Sequence, residues 1–167
     1  MTAPPGDGAT VTVSVRVSPE EAFEVFTQET DLWWRQGPRF RIAGRRRGKL
    51  AFEGGPGGRL FETVQLGAGP RTFEVGSIVA WEPPHRLAFE WRGVNFAPGE
   101  STHVEVWFRA AGESTLVTVR HTGFARLRDD HPAKHGLPPA EFSRMMGLWW
   151  GDLLTSLREH VAARAVG

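Results

Sequence analysis

The chain has 167 residues, no cysteine and a formal net charge of +1 at pH 7. This length fits one domain with a substantial core, and the lack of cysteine excludes disulfides and thiolate metal sites. A charge this close to zero argues against nucleic acid as a partner. No apolar run approaches the roughly 20 residues that span a bilayer. The first residues show no signal-peptide pattern, so we expect a cytoplasmic protein without membrane insertion.

The N-terminal part predicts a short tail, one strand and two short helices. Residues 1–9 are rich in Pro, Gly and Ala and are expected to form a flexible tail. Valines alternate with polar residues over 10–17 and predict a strand. Ser18 is then a helix N-cap candidate, and Pro19 suits the first helical position. A second helical turn is expected around residues 30–34.

Six further strands, separated by turns with Gly or Pro, are predicted before one long helix. The strands are expected at residues 49–53, 59–64, 72–81, 86–91, 102–109 and 115–122. Their short connections favour an antiparallel meander. Apolar residues at helical spacing predict a helix over 139–163. A sheet with this helix on one face buries every apolar face, so the fold class is α+β.

Several motifs, in this order, resemble the START-like (SRPBCC) superfamily, specifically the group of Hsp90 ATPase activator homologues. The matching segments are SPEEAFEVFTQETDLWW, GGRLFE, GSIVAWEPPHRLAFEW, TVRHTGF and GLWWGDLLTSLREHV. The resemblance implies a single domain over 10–163 with a helix-grip (START/Bet v1-like) fold. In this fold a curved antiparallel sheet of about seven strands surrounds the long C-terminal helix, with two short helices. Members bind lipids, polyketides or other hydrophobic molecules, and a few catalyse cyclisation.

The strand alternation and the long helix together indicate a candidate cavity. An odd-length loop at Pro83 and Pro84 would pair Leu87 with Trp81 and Phe89 with Val79 on the inner face. On the helix, small residues at intervals of four predict a shallow notch, which either packs against a strand or leaves an open space. Apolar, aromatic walls are typical of pockets. The candidate lining residues are Val79, Trp81, Phe89, Trp91, Val106, Phe108, Val119, His121, Met146, Gly147, Trp150, Gly151 and Leu154.

Candidate catalytic and metal-binding residues are few. His121 is the one titratable group expected on the inner face, where it could orient a ligand or act as an acid or base. The sequence supplies no partner for it, so we assign no catalytic residue. Asp129, Asp130, His131 and His135 lie close together, but their Pro-rich context favours a solvated connector. We therefore expect no metal and no cofactor.

Two segments have no place in the shared motifs. A basic cluster precedes the second strand and is expected to be solvated, with contact to an acidic partner, a phosphate or nucleic acid as the alternatives. Its members are Arg39, Arg41, Arg45, Arg46, Arg47 and Lys49. Residues 124–139 are too long for a plain hairpin loop and are expected to form a mobile lid over one cavity mouth.

The sequence therefore predicts a binding module that holds a small hydrophobic molecule between the sheet and the C-terminal helix. One alternative is a protein-interaction domain with a chaperone as its partner. Another is a cyclase or isomerase that uses the same cavity. The residues do not choose between a monomer and a homodimer.

Overall fold

A curved antiparallel sheet of seven strands dominates the computed structural model, which describes residues 4–166. The elements are β1 (Ala9–Val15), α1 (Pro19–Gln28), α2 (Thr30–Trp33), β2 (Gly48–Phe52), β3 (Arg59–Leu66), β4 (Gly69–Glu82), β5 (Arg86–Trp91), β6 (Thr102–Ala111), β7 (Ser114–Thr122) and α3 (Pro139–Val166). The strand order is β1-β7-β6-β5-β4-β3-β2. Consecutive strands from β2 to β7 are neighbours, and β1 pairs with β7. The predicted α+β helix-grip fold is confirmed.

The helices begin and pack as their sequences dictate. At the start of α1 the Ser18 hydroxyl accepts a hydrogen bond from the Glu21 N–H at 3.2 Å, and Pro19 occupies the first turn. One face of α1, including Phe23 and Phe26, is buried. Across residues 4–166, no helix combines the length and the apolar composition that a membrane crossing requires.

The core lies between the inner face of the sheet and the helices. Val104, Val106 and Phe108 alternate with more exposed residues along β6 and are at most 3% exposed. From α3, Trp150 and Leu154 cover this face and are at most 1% exposed. Burying each side chain of this size contributes about 1.5–3 kcal/mol, so the close contact between sheet and helix is a main source of stability.

The β4–β5 hairpin is only partly as predicted. Trp81 pairs with Leu87 across a three-residue connection, but the expected pairing of Phe89 with Val79 is wrong. Phe89 pairs with Ile78 instead, because a bulge shifts the register between Ile78 and Ala80. A bulge adds one residue to one strand and changes which face its neighbours occupy. Val79 therefore lies on the outer side, 49% exposed.

The beginning of the chain is tied to the segment after β7. The Asp7 carboxylate accepts hydrogen bonds from the N–H groups of Gly123 and Ala125 at 3.1 and 3.0 Å. Residues 1–3 of the expected flexible tail lie outside the described residues. The described part of the tail thus contributes a side chain that orders the chain between β7 and α3.

Glycines occupy two different environments in the sheet and in α3. A Cβ atom at Gly76 would lie 1.5 Å from the Glu90 carbonyl oxygen, so β4 and β5 approach too closely there for any side chain. In α3, a Cβ at Gly147 would lie 4.0 Å from the Ala9 Cβ of β1, and one at Gly151 would meet no atom within 4 Å. At Gly147 the predicted notch therefore faces a strand.

Gly76→Ala is expected to destabilise the protein by about 1–3 kcal/mol, because the added methyl forces the β4 and β5 backbones apart. Gly67 is the matched control, since a Cβ there meets nothing within 4 Å. Gly67→Ala should change stability by less than about 0.5 kcal/mol. Urea denaturation measures both, and equal midpoints for the two variants would contradict the close approach.

Gly151→Ala is expected to stabilise the protein by about 1 kcal/mol, because Ala is the better helix former and the new methyl has free space. Thermal and urea denaturation should both show the gain. A loss of stability would mean that a neighbouring group approaches Gly151 more closely than the structure shows.

Candidate ligand cavity

A cavity of about 590 Å³ lies at one end of the sheet, between the sheet, the N-terminal half of α3 and three loops. The loops join α2 to β2, β5 to β6 and β7 to α3. The buried apolar side chains of its floor are Trp34, Leu50, Val75, Phe124 and Met146, and the buried polar side chains are Arg41, Glu62 and His121. A volume of this size, with mostly apolar walls, is typical of sites for small organic molecules.

Three tryptophans form the aromatic wall of the cavity. The ring centroids of Trp34 and Trp91 lie 6.0 Å apart and nearly parallel, and Trp149 meets both rings edge to face. The Trp34 indole N–H donates to the Phe40 carbonyl at 2.9 Å, and the Trp149 N–H donates to the Arg39 carbonyl at 2.7 Å. The indole N–H groups of Trp34 and Trp149 are thus used within the protein, so these two side chains present mainly apolar ring surface to the cavity.

A buried arginine holds the loop between α2 and β2. The Arg41 guanidinium donates to the Asp31 carboxylate at 2.6 Å and to the carbonyls of Arg35 and Trp34 at 3.1 and 2.7 Å. The same Asp31 oxygen accepts from the Leu50 N–H at 2.9 Å. The interpretation of Arg41 as part of a solvated basic cluster is therefore wrong, because its side chain is fully buried.

A buried glutamate fixes the same loop from the sheet side. The two carboxylate oxygens of Glu62 accept hydrogen bonds from the N–H groups of Ile42 and Ala43 at 3.0 and 2.7 Å. Glu62 is 1% exposed and lines the cavity. Sequence reasoning missed it, although a signal existed: Glu62 alternates with the buried Leu60 and Val64 along β3.

His121 connects the sheet to α3 through a complete hydrogen-bond chain. The Trp150 N–H donates to His121 Nδ1 at 3.1 Å, so the ring proton must lie on Nε2. Nε2 donates to the Thr102 hydroxyl at 2.7 Å, and this hydroxyl donates to the Trp91 carbonyl at 3.2 Å. Burial, and secondarily the charge of His103, lowers the pKa of His121 to about 3. His121 is therefore a neutral structural group in the cavity floor.

The chain matches the family model described as Activator of Hsp90 ATPase homolog 1-like protein over residues 16–162. It belongs to this family. A search of curated proteins found no match.

Solved structures with the same fold include proteins of different activity. Protein NE0264 from Nitrosomonas europaea is 14% identical, with a TM-score of 0.64 and coverage of 99% of this chain and 100% of that one. An HSP90 activator from Plasmodium falciparum is 16% identical, with a TM-score of 0.58 and coverage of 92% and 94%. Txn09, an anthrahydroquino-γ-pyrone synthase complexed with SUM, is 28% identical, with a TM-score of 0.57 and coverage of 93% and 99%.

In this member of the Hsp90-activator-like family, three of the sequence-derived lining residues meet at the cavity: Trp91, His121 and Met146. Trp81 is half-buried against Phe23, with ring centroids 5.2 Å apart. Val79, Gly147 and Gly151 lie away from the cavity, as described above. The others lie in the packed core, and they are Phe89, Val106, Phe108, Val119, Trp150 and Leu154.

The loops form the rim of the cavity. None of its exposed residues was among the lining residues predicted from the sequence. Its exposed residues are Pro38, Arg39, Arg92, Val94, Asn95 and His135. These loops have no strand or helix period that would indicate which side chains face inward. The one available signal was an aromatic residue inside a turn-rich segment, and Phe96 in RGVNFAPG does line the cavity.

The segment proposed as a lid packs beside the cavity, with Ala133 and His135 in its wall. His131 is buried, and its Nδ1 accepts from the Ala133 N–H while Nε2 bonds to Glu100 at 2.9 Å. Both ring nitrogens are thus occupied within the protein. Over residues 4–166, no cluster of three or more metal-ligating side chains occurs.

The pH dependence of stability reports on His121. Its folded-state pKa of about 3 lies below the ordinary value of 6.5, so below pH 6.5 the unfolded chain binds the extra proton. The stability supplied by the neutral ring is complete above this pH and is lost as the pH falls toward about 3. From pH 6.5 to about 4.5 the loss should reach about 2–3 kcal/mol.

His121→Gln keeps a donor and an acceptor but removes the titration. When the pH is lowered from 6.5 to about 4.5, wild type should therefore lose about 2–3 kcal/mol of stability relative to this variant. Urea denaturation at both pH values measures the loss. A difference that is the same at both would show that His121 takes up its proton as readily in the folded protein as in the unfolded chain.

Proposed function

We propose that the protein binds a small hydrophobic molecule in this cavity, as a cytoplasmic binding module. The observation that carries the proposal is the cavity of about 590 Å³ with a buried, largely aromatic floor. Water against the rings of Trp34 and Trp149 finds few polar partners, because their indole N–H groups already bond to loop carbonyls. An apolar molecule would therefore replace water at little polar cost.

Buried area sets the scale of the interaction. A ligand that buries about 200 Å² of apolar surface would gain about 5 kcal/mol before the costs of association. The loop carrying Arg39 and Phe40 is already held by Arg41 and Glu62, so little ordering would be needed on binding. Pre-organisation of this kind lowers the ordering cost that the apolar contact must offset on binding.

A second candidate is an enzyme that transforms its ligand in the same cavity, favoured by the 28% identity to the synthase Txn09. The residues argue for binding rather than catalysis. In the floor, His121 uses both ring nitrogens within the protein and stays neutral because its pKa is lowered to about 3. Both carboxylate oxygens of the buried Glu62 accept backbone N–H bonds. Turnover of a co-purifying ligand, followed by mass spectrometry, would favour the enzyme.

A protein-interaction role with a chaperone is suggested by the family description alone. Stimulation of a chaperone's ATPase activity by the purified protein would support that role. An unchanged ATPase rate, together with ligand binding, would support the binding module.

The proposal is tested by filling the cavity from its wall. Ala133 lines the cavity, so Ala133→Trp should weaken binding of the neutral fluorescent probe N-phenylnaphthylamine at least about tenfold. Ala125 lies in the same segment, is exposed and is outside the cavity wall, and Ala125→Trp should bind the probe like wild type. Circular dichroism and thermal unfolding check that both variants fold. Equal probe affinity of the two variants would contradict the proposed site.

A further inference from the structure

We propose that the ligand of this cavity carries an anionic group, which Arg39 and Arg92 bind at the rim while the apolar body occupies the floor. This inference rests on the proposed binding function and specifies the chemical class of the ligand.

The rim offers hydrogen-bond donors with positive charge. Arg39 and Arg92 both line the cavity and are both exposed. Arg92 donates one hydrogen bond, to the Ala97 carbonyl at 3.1 Å, and the Arg39 guanidinium lies 5.2 Å from the centroid of the Phe40 ring. A guanidinium carries five N–H donors in a planar fork that matches carboxylate, sulfonate and phosphate oxygens. Most of these donors remain available to a ligand.

The charged groups deeper in the cavity are already satisfied. Arg41 is paired with Asp31, and both oxygens of Glu62 accept backbone N–H bonds. A ligand charge in the floor would lose its water without finding a free partner, which is costly. The ligand's charge is therefore directed to the rim.

The carboxylate of Asp152 would compete with a ligand anion for Arg39. Asp152 lies 4.0 Å from Arg39, with the two side chains 45% and 65% exposed. An ion pair this long and this exposed is weak, of the order of the exposed pairs that contribute little to stability. A ligand anion that desolvates Arg39 on one side would displace Asp152 readily.

The chain segment around Arg39 also carries positive charge. The stretch from Arg35 to Lys49 contains seven Lys and Arg residues and no acidic residue. This stretch forms one side of the rim through Pro38 and Arg39. Arg41 is paired with Asp31, and the charge of the other basic residues raises the local concentration of anions near the opening.

Two probes with the same aromatic body separate the charge from the apolar contact. Anilinonaphthalene sulfonate is N-phenylnaphthylamine with an added sulfonate. Wild type is expected to bind the sulfonate about fivefold more tightly than the neutral probe at low salt, and added salt should reduce this preference. The double variant Arg39→Gln/Arg92→Gln should lose the preference and bind the two probes with similar affinity.

A matched double variant controls for net charge. Arg109 and Arg158 are exposed and outside the cavity wall. Thr102 bonds to His121 in the cavity floor, and Arg109 lies seven residues further along β6, about 23 Å away. Arg109→Gln/Arg158→Gln should retain the preference for the sulfonate. Cooperative thermal unfolding of each variant excludes probe binding by a partly folded state.

The outcomes separate the two proposals. Equal affinity of wild type for both probes, or a preference that survives in Arg39→Gln/Arg92→Gln, would overturn the anionic ligand and leave the binding function standing. If neither probe binds wild type, both proposals fail.

Discussion

Two buried charged side chains hold the loop between α2 and β2 against the sheet, and the cavity depends on them. Arg41 and Glu62 are costly to bury unless every charge is matched, and here both are matched, by Asp31, by carbonyls and by backbone N–H groups. Any displacement of the loop would leave a charge buried without partners. The loop therefore has one position, although it contains no helix or strand.

The fixed loop explains why a space remains in an otherwise densely packed domain. Beyond the first turns of α3, Trp150 and Leu154 meet the sheet directly and close the core. Toward its N-terminus, Met145 and Trp149 line the cavity, and loops cover the sheet beside them. The cavity thus lies where loops replace the helix as the cover of the sheet, and its shape is set by hydrogen bonds rather than by apolar packing alone.

The family and its fold do not by themselves determine the activity. An HSP90 activator and a synthase have the same fold as this chain, so function must be argued from the site. In this site the buried polar side chains are hydrogen-bonded within the protein, His121 is kept neutral by burial, and the exposed charged side chains lie at the rim. That division of roles suits recognition of an amphipathic molecule better than proton transfer in the floor.

The sequence alone determined the order and type of the elements, because strand alternation and helical spacing record which side chains are buried. The residue types at the helix start predicted the N-cap at Ser18, and the strand alternation with the loop length predicted the pairing of Trp81 with Leu87. The bulge beside Val79 and the burial of Arg41 were decided only by the tertiary structure. Periodicity indicates which face of a strand or helix points inward. It does not indicate the distance between that face and the loop or helix that packs over it. That distance depends on contacts such as Glu62 with Ala43, which join residues far apart in the chain.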